Sequence, residues 1–134
     1  MSLNLAMLLK ESALTAPNKP ALILGDSQMT YAELDGLARR FASALLTLGV
    51  QPGQHVALMV PNVPHFTVGY FGAHYAGTPV VPLNVLLTAD EVAYHLNDAD
   101  AVALVVWEGF LPQAVKAAAH AESLKHLIVA RGPE

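Results

Sequence analysis

The spacing of apolar and polar positions predicts one strong helix near the middle of the chain's first half. This helix covers Tyr31–Leu48. Its apolar residues recur at alternating spacings of four and three and form a single stripe: Leu34, Ala38, Phe41, Leu45 and Leu48. Thr30 and Glu33 form a Thr-x-x-Glu capping box at its start, and Gly49 is placed to end it. Asp35 and Arg39, four residues apart, are expected on the opposite side in an order that supports the helix.

The residues before this helix predict a shorter helix and a β-hairpin. Residues 3–15 are amphipathic, with Lys10 and Glu11 on the polar side. The predicted apolar side consists of Leu5, Leu8, Leu9 and Ala13. Two short strands, Ala21–Leu24 and Gln28–Tyr31, follow on either side of a turn that begins with Gly-Asp.

After the strong helix, apolar runs alternate with helical patterns. The runs at residues 55–60 (HVALMV) and Val102–Trp107 have no polar alternation, which is typical of strands buried on both faces of a parallel sheet. Shorter strands are predicted at Pro79–Leu83 and His126–Ala130. Helices are predicted at Pro64–Ala76, from the Thr88–Glu91 capping box to Asn97, and at Phe110–Ala121. The pattern therefore predicts an α/β fold with a mostly parallel sheet and right-handed crossovers, preceded by an N-terminal helix and a short hairpin.

The predicted helix Pro64–Ala76 is apolar on every side. It lies within a segment, residues 41–89, that contains no Lys, Arg, Asp or Glu. A helix that is apolar all round must be covered all round, and one sheet covers only one side of it. We therefore expect an additional layer, from outside this chain, against the rest of the charge-free segment.

The composition supports that expectation and narrows the class of protein. Of the 134 residues, 54% are hydrophobic and 13% are charged, against a usual charged fraction of roughly 25%. Prolines and glycines interrupt every apolar run before it reaches the ~20 residues of a membrane span. A net charge of −4 without a basic block argues against nucleic acid. The absence of cysteine and of a signal-peptide pattern favours the cytoplasm, with peripheral contact at a membrane as a further option.

Few residues suggest chemistry by themselves. Glu91 and His95 are four apart on a predicted helix and are compatible with one metal ion, but a third ligand is missing and a surface helix is favoured. His65 and His74 are predicted to be separate core or interface histidines, and His55 a turn residue.

The remaining acidic, aromatic and basic candidates also favour structural roles. Asp90 with Glu91 suits the first turn of a helix, and Asp98 with Asp100 brackets a turn. Trp107 is expected to pack at a sheet edge rather than to line a pocket. No phosphate loop or nucleophile turn is present. We therefore predict no catalytic, cofactor-binding or metal-binding residue in this chain.

A series of short motifs nevertheless runs through the chain in a fixed order. They are TYAEL (30–34), LGV (48–50) with PG (52–53), VAL (56–58) with PN (61–62), FGA (71–73), AG (76–77), VVPLN (80–84) and the Thr88–Leu96 helix with Asp98. Together they resemble the N-terminal part of adenylate-forming acyl-CoA synthetases, most closely the fatty-acid–CoA ligase branch. That superfamily includes luciferases and nonribosomal-peptide adenylation domains. Gln54 departs from the Asp that often follows the Pro-Gly turn in this family.

The resemblance implies a function for a longer parent enzyme. Such an enzyme activates a fatty acid with Mg-ATP to an acyl-adenylate and transfers the acyl group to CoA. The family's nucleotide loop, ribose-binding acid and catalytic lysine lie beyond position 134, and Lys116 and Lys125 match none of them. Residues 1–134 would be an incomplete N-terminal subdomain, inactive alone, whose partner is the remainder of its own chain. Self-association through the charge-free face, a non-catalytic α/β interaction module, and a ligase for aryl or short-chain acids are the alternatives.

Overall fold

The computed structural model describes residues 4–133, which form five α-helices, a short 3-10 helix and six strands. In chain order these are α1 (Ala6–Thr15), β1 (Pro20–Leu24), β2 (Ser27–Thr30), α2 (Tyr31–Thr47), β3 (Val56–Met59), α3 (Pro64–Tyr75), β4 (Val80–Pro82), α4 (Ala89–Asp98), β5 (Ala103–Trp107), the 3-10 helix (Glu108–Phe110), α5 (Leu111–Ala118) and β6 (His126–Ala130). No helix among these residues combines the length and hydropathy needed to cross a membrane.

The main sheet is fully parallel, as the alternating pattern predicted. Its strand order is β4-β3-β5-β6, and β1 and β2 form a separate antiparallel hairpin. Strand β3 lies between β4 and β5, with Val56 paired to both Val80 and Ala103. All four residues of β3 are buried. The continuous apolar run therefore predicted correctly that this strand is covered on both faces.

Two hydrophobic cores cover the two faces of this sheet. Alternate residues such as Ala57 and Leu104 pack with α4 and α5 on one face. Their neighbours Leu58 and Val105 pack with α2 and α3 on the other. This division follows from the two-residue period of a strand, which sends successive side chains to opposite faces.

Helix α3 is covered on part of its second side by helices α1 and α2 of the same chain, which corrects our expectation that this cover comes only from an outside layer. Gly69, Gly72 and Ala73 are buried, and no residue of α3 is fully exposed. Helix α2 lies so close that a Cβ on Gly72 would be 2.8 Å from the Ala38 carbonyl oxygen. The glycine permits this approach because it has no side chain to separate the two backbones.

Helix boundaries follow local capping, although two of our expectations need correction. Both capping boxes are present, at Thr30–Glu33 and Thr88–Glu91. The predicted helix Phe110–Ala121 is instead a 3-10 turn followed by the shorter α5. Helix α1 begins at Ala6. Leu5, which precedes the helix, and Leu8 are exposed, whereas Leu9 is buried. Ala13 is half-buried, so only part of the predicted apolar side is covered.

Asp35 and Arg39 form the pair expected from their spacing, and a tyrosine of another helix joins them. Arg39 Nε lies 2.9 Å from Asp35 Oδ2, and Tyr75 of α3 donates its hydroxyl hydrogen bond to Asp35. The Arg39 guanidinium lies over the Tyr75 ring, 4.7 Å from its centroid. Burial, followed by the hydrogen bond to Asp35, raises the pKa of Tyr75 to about 12. These three side chains therefore connect α2 to the end of α3.

Replacing Tyr75 with phenylalanine is expected to lower the free energy of unfolding by about 1 kcal/mol. The change removes the hydroxyl that donates to the Asp35 carboxylate and accepts a long hydrogen bond of 3.4 Å from Arg39 Nη2, while the aromatic ring remains. Urea unfolding of both proteins measures the difference. Tyr94 is 66% exposed, so Tyr94→Phe is the matched control and should leave stability unchanged. Equal stability of Tyr75→Phe and the wild type would show that the contact contributes nothing.

Candidate functional site

The strand order creates a crevice at the carboxyl ends of β3 and β5. These strands are neighbours, but β3 leads into α3 on one face of the sheet and β5 leads towards α5 on the other. In open α/β sheets, ligands bind where adjacent strands send their connections to opposite faces. The residues that follow the two strands, Val60–Val63 and Glu108–Phe110, border this position.

His65 and Trp107 meet at the crevice. His65 is in the first turn of α3, and Trp107 is the last residue of β5; their ring centroids are 5.2 Å apart in an edge-to-face arrangement. His65 Nδ1 is buried and has no hydrogen-bond partner among the described residues. Glu108 accepts a hydrogen bond of 3.2 Å from the Gly132 backbone N–H. That bond brings the segment after β6 back to the end of β5.

An apolar groove extends from His65 along the sheet. One part, with a volume of about 280 Å³, lies between α2, α3 and strands β5 and β6. The adjoining part, about 230 Å³, reaches the β-hairpin and Trp107 and shares Met29, Pro64 and His65 with the first. Its lining contains no Lys, Arg, Asp or Glu. We call the two parts together the apolar groove.

The chemistry of this groove does not fit a nucleotide triphosphate. Phosphate groups require clustered backbone N–H donors or cationic side chains, and the groove offers mostly apolar side chains, one imidazole, and the uncharged polar residues Ser27 and Gln28. Among residues 4–133, no group of three His, Asp or Glu side chains is arranged to hold a metal ion. The groove itself therefore offers no cluster of phosphate-binding groups.

The pair considered for a metal site, Glu91 and His95, lies on α4 away from the crevice. The Glu91 carboxylate accepts a hydrogen bond of 3.0 Å from the Thr88 hydroxyl as part of the capping box. Asp90 and Glu91 occupy the first turn of α4, as expected. Helix α4 ends at Asp98, and Asp100 has a positive φ of 50° in the turn that follows.

The other histidines occupy separate places, as predicted. His55 precedes β3, and its Nδ1 lies 2.7 Å from the Ala99 carbonyl oxygen, so it links β3 to the end of α4. His74 lies near the end of α3 with its ring centroid 4.6 Å from that of Tyr70, and its buried Nε2 has no partner among residues 4–133. Burial lowers the pKa of His74 from its ordinary 6.5.

The stability of the domain is expected to fall as the pH drops below about 6.5, in part because of His74. The unfolded chain binds a proton at this residue more readily than the folded chain, so protons favour unfolding. The stability that depends on a neutral His74 is fully present above pH 6.5. It is lost as the pH falls from 6.5 through the lowered pKa of the folded state. Urea midpoints at pH 7.5 and 5.0 measure the slope, and His74→Gln should flatten it. An identical slope in the variant would exclude His74 as a contributor.

Trp107 has a different position from the one expected. Strand β5 is internal, so Trp107 lies at the end of a central strand rather than at a sheet edge. Its ring both packs against His65 and lines the apolar groove. Sequence analysis missed the meeting of His65 with Trp107, because the two residues belong to different elements and no local motif joins them. Lys116 and Lys125 do not line this groove.

Comparison with known proteins identifies the family. The profile of the AMP-binding enzyme family matches residues 9–133, almost the whole chain. This chain belongs to the AMP-binding enzyme family. The resemblance of its motifs to adenylate-forming acyl-CoA ligases is thereby confirmed.

Individual ligases of this family align over most of the chain. A Rhodococcus jostii ligase that joins CoA to a 7a-methyl-1,5-dioxo-octahydroindenyl propanoyl group is 40% identical over 103 residues, 77% of this chain and 20% of its own. A long-chain-fatty-acid–CoA ligase of Yersinia pestis is 34% identical over 129 residues, 96% of this chain and 23% of its own. A crystal structure of a benzoate CoA ligase from Burkholderia xenovorans superposes with a TM-score of 0.88 at 34% identity, covering 96% of this chain and 26% of that one. The chain thus spans about a quarter or less of these AMP-binding enzymes.

Proposed function

We propose that residues 1–134 are the first part of the N-terminal domain of an AMP-forming fatty-acid–CoA ligase. The observation that supports this most strongly is the family match over residues 9–133, together with long-chain-fatty-acid–CoA ligases that align over 96% of the chain. The parent enzyme would join the carboxylate of a long-chain fatty acid to the α-phosphate of ATP, releasing pyrophosphate. The CoA thiol would then displace AMP and form the thioester.

In this proposal, the described residues supply a scaffold and no catalytic group. ATP, Mg²⁺ and CoA would be held by residues later in the parent chain, because the groove at the carboxyl edge of the sheet has apolar walls. The parent would act in the cytoplasm, with access to membrane-borne acids. The principal partner of this segment would be the remainder of the same polypeptide.

A ligase for aromatic acids is the second candidate. It is favoured by the similarity to the benzoate CoA ligase structure, at the same 34% identity as the Yersinia pestis long-chain enzyme. The two candidates are distinguished by assaying the protein encoded by the whole reading frame that contains this sequence. Palmitoyl-CoA formation with little benzoyl-CoA formation supports the first candidate, and the reverse supports the second.

The chain of residues 1–134 is expected to be inactive by itself. Incubation with Mg-ATP, palmitate and CoA should yield no AMP above the background, and Mg-ATP should leave its melting temperature unchanged, because a ligand that binds the folded state raises that temperature. Clear nucleotide-dependent stabilisation would contradict the assignment of the nucleotide site to later residues. A reading frame that ends naturally at position 134 would instead favour a non-catalytic interaction module.

A further inference from the structure

Helix α1 is held to the rest of the domain by few buried side chains. Of its ten residues, only Ala6 and Leu9 are buried. Leu9 packs with Leu34 and Ala38 of α2 in a small core that is separate from the two cores on the sheet. Elements with few buried apolar contacts open locally at a lower free energy than the rest of a folded protein. We therefore expect α1 to open more readily than the helices that cover the sheet.

One side chain anchors the start of α1 to the last turn of α3. Asn4 Nδ2 donates a hydrogen bond of 2.7 Å to the His74 carbonyl oxygen, and Asn4 Oδ1 accepts one of 2.8 Å from the Ala6 backbone N–H. Just after α1, the Ala32 backbone N–H donates a hydrogen bond of 3.0 Å to the Pro17 carbonyl oxygen, which ties this segment to α2. The start of α1 can therefore leave while its end stays attached.

The residue at this anchor has a buried ring nitrogen without a partner. His74 Nε2 is inaccessible to solvent and has no hydrogen-bond partner among residues 4–133. A neutral imidazole tolerates this position, because one of its two nitrogens carries no proton. A charged imidazole has a proton on both nitrogens, and a buried N–H without an acceptor is costly. A charge on His74 is therefore favoured only when the ring gains access to water.

The ionisable side chains of the helices around His74 offer its ring no carboxylate partner. The Asp35 carboxylate of α2 is engaged by Arg39 and Tyr75, and the Asp35–Arg39 pair is the only ion pair among residues 4–133. Burial, without a contribution from a nearby charge, lowers the pKa of His74. The other ionisable groups on these helices are the Tyr70 phenol, whose ring is 4.6 Å from that of His74, and the exposed Lys10 and Glu11 of α1.

We propose that Asn4 and His74 form an acid-sensitive latch, which holds α1 on α2 and α3 near neutral pH and releases it when His74 is protonated. This device goes beyond the ligase activity and does not depend on it. Release breaks the bond from Asn4 to His74 and uncovers Leu34 and Ala38, which Leu9 covers in the closed state. Because the released state binds a proton more readily than the closed state, a lower pH shifts the equilibrium towards release.

Hydrogen exchange followed by mass spectrometry tests the latch in the protein encoded by the whole reading frame. Protection factors, which correct for the intrinsic effect of pH on exchange, are compared at pH 7.5 and 5.0. We expect α1 to lose protection by at least ~3-fold and at most about 30-fold, because an exposed imidazole of pKa 6.5 is protonated about 30 times more often than neutral at pH 5.0. Helix α4 is the internal reference and should keep its protection. Unchanged protection of α1, or an equal loss in α1 and α4, would overturn the proposal.

Two histidine variants separate His74 from other titrating groups. The glutamine of His74→Gln takes up no proton, so α1 should have the same protection at both pH values. His95 lies on α4, which packs on the opposite face of the sheet, and His95→Gln should show the wild-type loss in α1. A loss of protection that persists in His74→Gln would assign the effect to another group and refute the latch.

Two asparagine variants test the anchor itself at pH 7.5. Asn4→Ala removes the bond to His74, and α1 should lose about 5-fold in protection, the effect of one hydrogen bond of ordinary strength. Asn62 is exposed and precedes the other end of α3, so Asn62→Ala should leave α1 unchanged. Equal protection of α1 in the two variants would show that Asn4 does not hold the helix, and the proposal would fail.

Discussion

Replacing Gly72 with alanine is expected to lower the free energy of unfolding by about 3 kcal/mol, the upper end of the usual cost of overpacking. The added Cβ would lie 2.6 Å from Phe41 Cδ1 and 2.8 Å from the Ala38 carbonyl oxygen. The Phe41 ring can rotate away, but the carbonyl belongs to the backbone of α2. The two helices must therefore separate, which opens the contact that covers α3. Chemical denaturation monitored by circular dichroism measures the loss.

Gly36→Ala is the matched control for this prediction. Gly36 lies in the middle of α2, and a Cβ added there meets no atom within 4 Å. Since alanine has a higher helix propensity than glycine, the free energy of unfolding of this variant should rise by up to about 1 kcal/mol. The two substitutions are chemically identical, but their effects on the free energy of unfolding are expected to have opposite signs. A Gly72→Ala protein as stable as the wild type would show that α2 and α3 do not cross as closely as described.

Replacing Leu58 with alanine is expected to cost about 2–5 kcal/mol, the range for removing a buried leucine side chain. Leu58 is fully buried in β3 and packs beneath α3 in the core shared with α2. Its removal leaves a cavity between the sheet and the helix that carries His65. Leu86→Ala is the control, because Leu86 is 83% exposed and should change stability little. Urea unfolding of both variants provides the comparison.

A second substitution tests the geometry behind this cost. A Cβ on Gly69 would lie 3.3 Å from Leu58 Cδ2. Gly69→Ala should therefore recover part of the stability lost in Leu58→Ala, because its methyl group enters the space vacated by the leucine. The free-energy changes of the two substitutions should be non-additive, as is usual for residues in contact. Strict additivity would contradict the packing of α3 against β3 at this point.

Both experiments concern the layer that positions the crevice. His65 lies in the first turn of α3, and its contact with Trp107 depends on the way that α3 lies on β3 and under α2. In the proposed ligase, a weakened α2–α3 contact would loosen the wall of the apolar groove at Phe41 and Val68. We therefore expect these substitutions to affect the parent enzyme through the folding of this layer.

Local signals in the sequence predicted the elements well. Thr30–Glu33 and Thr88–Glu91 started helices where expected, because a capping box involves only neighbouring residues. The uninterrupted apolar run of β3 predicted burial on both faces. The family was also recognisable, because short motifs in a fixed order record the family without any knowledge of contacts.

Contacts between elements were predicted less well. Asp35 and Arg39 have the spacing of an ordinary surface pair, and nothing within α2 indicates that Tyr75 approaches them. In α1, the apolar pattern was broader than the line of contact with α2 and α3, so Leu8 remained exposed. Nothing in the sequence of α3 indicates that Gly72 admits a neighbouring helix and that Gly69 admits the sheet.

The amino-acid sequence by itself therefore determined the helices, the strands, the parallel sheet and the family, since each depends on periodicity, capping or motif order along the chain. Only the tertiary structure decided that α2 covers α3, that His65 meets Trp107, and that one face of β6 stays open as an apolar groove. The physical reason is that hydrophobic burial is non-directional. An apolar pattern requires that a surface be covered, and the close approach of particular backbones selects which element covers it.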